Sequence, residues 1–261
     1  MVSKQLPAWE RLAAKALDKM GLTVMRSSSI GRQLPIEASD TDRSIIERVR
    51  PFTMTSDERI WSLLQAVRYI AERPVAGDIV ECGVWRGGSM MAAALQLQAI
   101  SAPPRTLWLY DTYTGMTPPT AEDKESVSGT TARALLETTE VGDGDNVWCV
   151  ADEQDVRRNM GSTGYPPEHM QFIKGDVAVT LTEQVPEQIA LLRLDTDWYA
   201  STKAELEYLY ARLVPGGICI LDDYGHWQGA RQAVDEFFTA NPPRPLMTPI
   251  DFSGRLFFKP C

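Results

Sequence analysis

Residues 191–226 read LLRLDTDWYASTKAELEYLYARLVPGGICILDDYGH, and the placing of apolar runs and acids in this stretch decides the fold. Two apolar segments, Ile189–Leu194 and Ile218–Leu221, each stop abruptly at acid. The first ends in Asp195 and Asp197, the second in Asp222 and Asp223. Short runs rich in Ile and Leu read as strands of a parallel sheet buried on both faces. Between them Ser201–Leu213 reads as a helix stopped by Pro215-Gly216-Gly217, which makes the stretch a βαβ unit. Its acids fall at the C-terminal ends of the strands, where open α/β sheets bind ligands. Carboxylates gathered there repel one another unless a cation or a proton relieves them. A metal site is therefore expected from the spacing itself.

The same pattern continues upstream. GDIVECGVWRGGSMMAAALQLQAI gives a strand, Ile79–Cys82, a glycine turn, and a helix, Ser89–Ile100. TLWLYDTYTGM gives a strand, Thr106–Tyr110, ending at Asp111, and Met170–Lys174 a third that runs into Gly175-Asp176. Downstream, Gln228–Thr239 is helical. Leu246–Pro249 and Arg255–Lys259 flank the turn Asp251–Gly254 as an antiparallel hairpin. The fold class expected is α/β, a doubly wound, mostly parallel seven-stranded sheet with one reversed strand.

The first 50 residues read as a helical extension, followed by the main domain over 51–261. Ala8–Met20 places Trp9, Leu12, Ala13, Ala16, Leu17 and Met20 on one helical face, ended by Gly21. Arg26–Asp42 reads as a loop and Ser44–Val49 as a helical piece stopped by Pro51. A helix starts at Thr55 or Ser56, with Ile60, Leu63, Leu64, Val67 and Ile70 as its buried stripe. Residues 112–150 form a polar insertion of the size used for lids and acceptor loops. It holds a helix at Thr131–Thr138 and a short strand at Trp148–Val150, and a further helix begins near Asp152.

With 44% hydrophobic and 23% charged residues, the composition is that of an ordinary globular protein. The net charge of −9 argues against a basic face for nucleic acid or anionic lipid. No apolar run approaches the roughly 18 residues of a membrane span. Cys82, Cys149, Cys219 and Cys261 stand far apart without a CxxC pair, so neither zinc nor a disulfide framework is expected. The reading is a cytoplasmic protein, with N-terminal helices that offer a surface for self-association.

The first glycine turn, ECGVWRGGS, lacks the G-x-G-x-x-G of a dinucleotide site. Glu81 just before Gly83 repels phosphate and favours a cationic ligand. S-adenosylmethionine, with a sulfonium and an ammonium, fits. Asp111 is placed for a ribose diol and Asp176 for the adenine end; the plainer readings are a solvated loop acid and a helix cap. Asp195, Asp222 and Asp223 make an oxygen-only set suited to Mg²⁺ rather than zinc. Asp197 is a fourth ligand, a base, or the cap of the next helix. His226 borders the acids. Trp198, Tyr199, Tyr224 and Trp227 either pack on a sugar or fill the core. Arg86 either meets the ligand carboxylate or lies at the surface.

Taken in order, ECGVWRGGS, LYDTYTGM, IKGDV, LLRLDTDWYAST and GGICILDDYGHWQGARQAVDEFF resemble the macrocin O-methyltransferase family over roughly residues 45–259. That family methylates sugar hydroxyls of macrolide and aminocoumarin antibiotics with S-adenosylmethionine and Mg²⁺. The resemblance implies a Rossmann-like methyltransferase fold and cofactor positions at Glu81, Gly83, Asp111 and Asp176. Thr53, Met54 and Ser89 would lie at the methionine end. At longer range the metal-dependent catechol O-methyltransferases are similar, and their metal acids match Asp195, Asp222 and Asp223. Where those carry a lysine base this chain has Trp198, so the resemblance points to Asp197 or Asp195 as base, with His226 as a further choice.

The expectation is a Mg²⁺-dependent O-methyltransferase acting on a small glycosylated acceptor. The rivals are a phenol or catechol O-methyltransferase with the same metal site and a non-catalytic nucleotide- or sugar-binding module.

Overall fold

The structure, a computed structural model, describes residues 34–141 and 146–260. Residues 38–261 form one compact unit, and Met1–Glu37 a separate one. The helix expected at Ala8–Met20 lies outside the described residues.

The large unit is built on a sheet of seven strands in the order β3-β2-β1-β4-β5-β7-β6. These are β1 (Asp78–Cys82), β2 (Leu107–Asp111), β3 (Met170–Lys174), β4 (Ile189–Leu194), β5 (Leu213–Leu221), β6 (Thr248–Pro249) and β7 (Arg255–Phe258). The first five are parallel, and β7 runs antiparallel to both β5 and β6. Strand order reverses between β1 and β4, so a crevice opens above their C-terminal ends. The helices are α1 (Asp40–Val49), α2 (Asp57–Glu72), α3 (Gly88–Ala99), α4 (Ala132–Thr138), α5 (Glu153–Gly161), α6 (Val177–Thr180), α7 (Tyr199–Leu209) and α8 (Gln228–Ala240).

The expected doubly wound sheet is present, and three local readings are corrected. The loop expected to run through Asp42 ends at Ser39. There a capping box starts α1: Asp42 N–H donates to Ser39 Oγ at 3.1 Å and Ser39 N–H to Asp42 Oδ2 at 3.0 Å. Pro215-Gly216-Gly217 does not end the helix before it. α7 stops at Leu209, and β5 begins at Leu213. Leu213 pairs with Ile189 and Ile218 with Leu191, so the Pro-Gly-Gly segment bulges out between them, with Gly216 at φ +77°. Of the strand expected at Trp148–Val150 only a single bridge residue, Val150, is present, and it follows a turn in which Cys149 adopts φ +47°.

β1 and β4 supply the centre of the core. Every residue of β4 is buried, including Arg193. A guanidinium in that position must find acids to offset its lost hydration, and those acids lie at the strand ends. Among the described residues no helix is long and apolar enough to cross a membrane.

Candidate active site

A cavity of about 560 Å³ opens over the C-terminal ends of β1, β2, β4 and β5. Of the residues singled out in the sequence, Thr53, Met54, Gly83, Ser89, Asp111, Asp176, Asp195, Asp197, Asp222, Asp223 and His226 all line it. Glu81 does not. It lies buried beneath the floor, with Oε1 turned to Arg193 and Oε2 unpartnered.

Gly83 leaves β1 at φ +83°. A Cβ there would stand 1.9 Å from the carbonyl oxygen of Asp195, so the glycine turn is pressed directly against the end of β4. Asp111 fastens the turn from the other side. Its Oδ2 accepts from Val84 N–H at 2.7 Å and Trp85 N–H at 2.9 Å, and its Oδ1 from Tyr113 N–H at 2.7 Å. Burial pushes this carboxyl above its ordinary range, against the pull of those amides. Asp176 caps α6 through Ala178 N–H at 2.9 Å and still faces the cavity. Arg86 turns away. Its Nε pairs with Asp155 at 2.9 Å and its Nη1 donates to Pro51 O at 3.0 Å, so it braces α5 against the chain before α2.

The sequence reading took Asp195, Asp222 and Asp223 as the metal set, with Asp197 as a fourth ligand, a base or a cap; the structure brings Asp197 together with Asp195 and Asp223. Asp195, Asp197 and Asp223 each turn one carboxylate oxygen toward a common point, all within 4.8 Å of one another. Asp195 also accepts from Arg193 Nη1 at 2.6 Å, while Asp222 is held by two arginines. Arg193 Nη2 donates to its Oδ1 at 2.5 Å, and Arg59 Nη1 bonds its Oδ2. Arg59 Nε also pairs with Asp251 at 2.8 Å. Burial pushes the Asp222 carboxyl up, but the two guanidiniums outweigh it and hold it below the ordinary range. The other three move the opposite way. Burial and neighbouring carboxylates raise Asp195 and Asp223 far above the usual range and push Asp197 up to about 7. The Asp197 backbone N–H donates to Asp223 Oδ2 at 3.3 Å. Hard oxygen donors so gathered fit a small divalent cation of the Mg²⁺ type.

Asp197 stands at φ +68°, a left-handed conformation that Asp tolerates better than most residues. Trp85 and Cys149, also at positive φ, line the same cavity. Such strain collects at binding and catalytic sites.

His226 lines the cavity, with Nε2 3.8 Å from Glu125 Oε1. Burial lowers its pKa further than Glu125 raises it, which leaves the imidazole neutral near pH 7. The flanking aromatics mostly serve packing. Trp198 is buried edge-on against Trp227 at 4.8 Å and donates from Nε1 to Thr117 O at 2.9 Å. The hydroxyls of Tyr199 and Tyr224 bind Glu236 and Asp235 on α8.

The insertion between β2 and α5 is fastened to this wall. Ser126 N–H donates to His226 O at 2.7 Å and Gln228 N–H to Lys124 O at 2.9 Å. Asp123, fully buried, accepts from Tyr199 N–H at 2.7 Å and so caps α7 from outside that helix. Arg59, Arg193, Asp123 and Glu125 were not singled out in the sequence. The signal for Arg193 was a lone charge inside the apolar run LLRL, which a buried strand tolerates only if it is paired.

Residues 4–259 match the family described as Macrocin-O-methyltransferase (TylF). The chain is 33% identical over 185 residues to demethyldecarbamoylnovobiocin O-methyltransferase of Streptomyces niveus, covering 71% of this chain and 67% of that one. It is 30% identical over 185 residues to mycinamicin III 3''-O-methyltransferase of Micromonospora griseorubida, covering 71% and 69%. The solved structure of the O-methyltransferase NovP superposes with a TM-score of 0.70 at 30% identity, over 80% of this chain and 83% of that one. The calicheamicin methyltransferase CalS11, at 18% identity and a TM-score of 0.57 over 97% of this chain and 94% of that one, shares the fold.

Proposed function

The chain belongs to the macrocin O-methyltransferase family, and on that footing we propose that it moves a methyl group from S-adenosylmethionine to a sugar hydroxyl of a glycosylated antibiotic, with Mg²⁺ as its metal. The relatives named for novobiocin and mycinamicin methylation support a sugar acceptor. The observation that carries the metal is the convergence of Asp195, Asp197 and Asp223 within 4.8 Å, in the cavity that Gly83, Asp111 and Asp176 also line.

In this reading Gly83, Ser89, Asp111 and Asp176 form the cofactor half of the cavity, with Thr53 and Met54 at the methionine end. Asp195 and Asp223 hold the cation, and Asp197 is the third carboxylate of the set. Mg²⁺ bound there supplies a Lewis acid that lowers the pKa of an acceptor hydroxyl. Asp197, beside the acceptor hydroxyl in this reading, is the carboxylate that takes its proton. Asp222 keeps Arg193 and Arg59 in place beside the reacting groups. The rest is positioning: holding both substrates in near-attack geometry is worth on the order of 7–11 kcal/mol.

The test is methyl transfer from S-adenosylmethionine to glycosylated and to phenolic acceptors side by side, each with Mg²⁺ and with EDTA. Turnover of the glycosylated acceptor that disappears in EDTA is expected. Preference for the phenol overturns the acceptor, and equal rates in EDTA overturn the metal. Calorimetric titration with S-adenosylhomocysteine checks the cofactor half independently.

A further inference from the structure

Behind the Asp195–Asp197 turn lies a carboxyl group that the reaction as described does not use. Glu205, on α7, is fully buried. Its Oε1 accepts a hydrogen bond from Thr196 Oγ1 at 2.7 Å, and its Oε2 is buried without a partner. Thr196 stands between Asp195 and Asp197 and itself lines the cavity. We propose that Glu205 is a positioning residue: from inside the core it anchors the Thr196 hydroxyl and so fixes the spacing of the two carboxylates on either side. The inference rests on the reading of Asp195 and Asp197 as groups of the reaction.

Stability gives no reason for an acid at this position. The neighbouring α7 residues Leu206 and Leu209 are buried and apolar, and a buried carboxyl with one oxygen unpaired costs free energy that a leucine would not. What the acid supplies is a fixed acceptor for Thr196. The turn needs one, because Asp197 stands at φ +68° and Asp197 N–H reaches Asp223 Oδ2 only at 3.3 Å. From the opposite side the turn is pressed by Gly83, which leaves no room for it to relax forward. Glu205 does this without adding charge to the cluster. Burial pushes its carboxyl up to about 8, so it is mostly neutral at pH 7.

The test compares Glu205→Leu, Thr196→Val and the double variant in the full-length protein, with Glu205→Gln as the conservative replacement. Each single variant is expected to lower kcat roughly tenfold to a hundredfold, with affinity for S-adenosylhomocysteine unchanged and the melting temperature of Glu205→Leu equal or higher. The double variant should be no slower than the slower single one, since both remove the same bond. Glu205→Gln keeps an oxygen for Thr196 and should recover most of the turnover. Normal kcat in Glu205→Leu or in Thr196→Val overturns the proposal, as do additive losses or a Gln variant as slow as Leu. Should the Leu variant not fold, Thr196→Val decides alone. Asp197→Asn, run in the same assay, separates the two levels: normal turnover there overturns the reading of the site, whereas a slow Asp197→Asn beside a normal Glu205→Leu overturns only the role of Glu205.

Discussion

Arg193 Nη1 meets Glu81 Oε1 at 2.5 Å, across register-matched positions of β4 and β1. The same nitrogen lies 2.6 Å from Asp195, and Nη2 lies 2.5 Å from Asp222. One buried cation thus joins the strand that carries the glycine turn to the acids that follow β4 and β5. Arg193→Met leaves Glu81 and Asp222 buried with that counter-charge gone. Removing one partner of a buried pair costs about 3–5 kcal/mol, and urea denaturation should show a loss of that size. Arg193→Lys should rescue little, because an ammonium cannot reach three acids with the geometry of a guanidinium fork.

Neighbouring acids should respond in opposite ways. Asp222→Asn removes the shared partner of Arg193 and Arg59, so it should destabilise the protein by about 3–5 kcal/mol whether or not cation is present. Asp223→Asn replaces a carboxyl that burial and its acidic neighbours already hold toward its neutral form, so without cation its melting temperature should equal or exceed that of the unmodified protein. The stabilisation given by added Mg²⁺ should vanish in Asp223→Asn. Melting curves with EDTA and with Mg²⁺ read both effects, and a loss in Asp223→Asn like that of Asp222→Asn contradicts the division of the acids.

Gly83→Ala tests the close approach of the turn to β4. The left-handed φ of +83° costs alanine about 1–2 kcal/mol. The larger effect is steric, since the new methyl would lie 1.9 Å from Asp195 O and 2.5 Å from Asp195 C. Either the Gly83 turn or the Asp195–Asp197 turn must shift. Turnover should fall roughly a hundredfold, together with affinity for S-adenosylhomocysteine measured by calorimetry.

Stability should depend on pH through the buried acids. Glu205 rises from an ordinary 4.5 to about 8 because it is buried, and Asp197 from 3.8 to about 7, chiefly through burial and next through Asp195. An acid that binds its proton more tightly when folded favours the folded state at low pH. That contribution is complete below its unfolded value and is lost as pH rises through its folded one. The cation-free protein should therefore lose stability between about pH 4.5 and pH 8. Glu205→Leu should flatten the upper part of that decline. Thermal melts across this range in EDTA decide it, and a level profile refutes the assignment.

Much of the fold was legible because it rests on local signals. The runs Ile189–Leu194 and Ile218–Leu221 are apolar at every position but Arg193, and Asp111, Asp195 and Asp222 mark strand ends by interrupting such runs. The partners of the acids were not legible. That Asp222 faces Arg59 on α2 and Arg193 on β4 depends on contacts 163 and 29 residues apart in the chain. Spacing within one segment therefore grouped Asp222 with Asp223, its neighbour, when their environments are opposite. Pro215-Gly216-Gly217 misled for a related reason: the residues that stop a helix are also those that let a strand bulge and resume. Ser39-x-x-Asp42 was a readable helix start, overlooked because the polar residues before it have no periodicity.

Asp123 has a further consequence, for exchanging parts among relatives. Its carboxylate belongs to the insertion, yet it caps α7, and a Cβ on Gly229 of α8 would lie 2.0 Å from its Oδ1. The insertion, the start of α7 and the start of α8 are thus keyed to one another. A loop transplanted from another member of the family to change acceptor choice will not behave as a free cassette. It has to bring an acid at position 123 and meet a glycine at position 229, or the new loop will unseat the helix that follows Asp195 and Asp197.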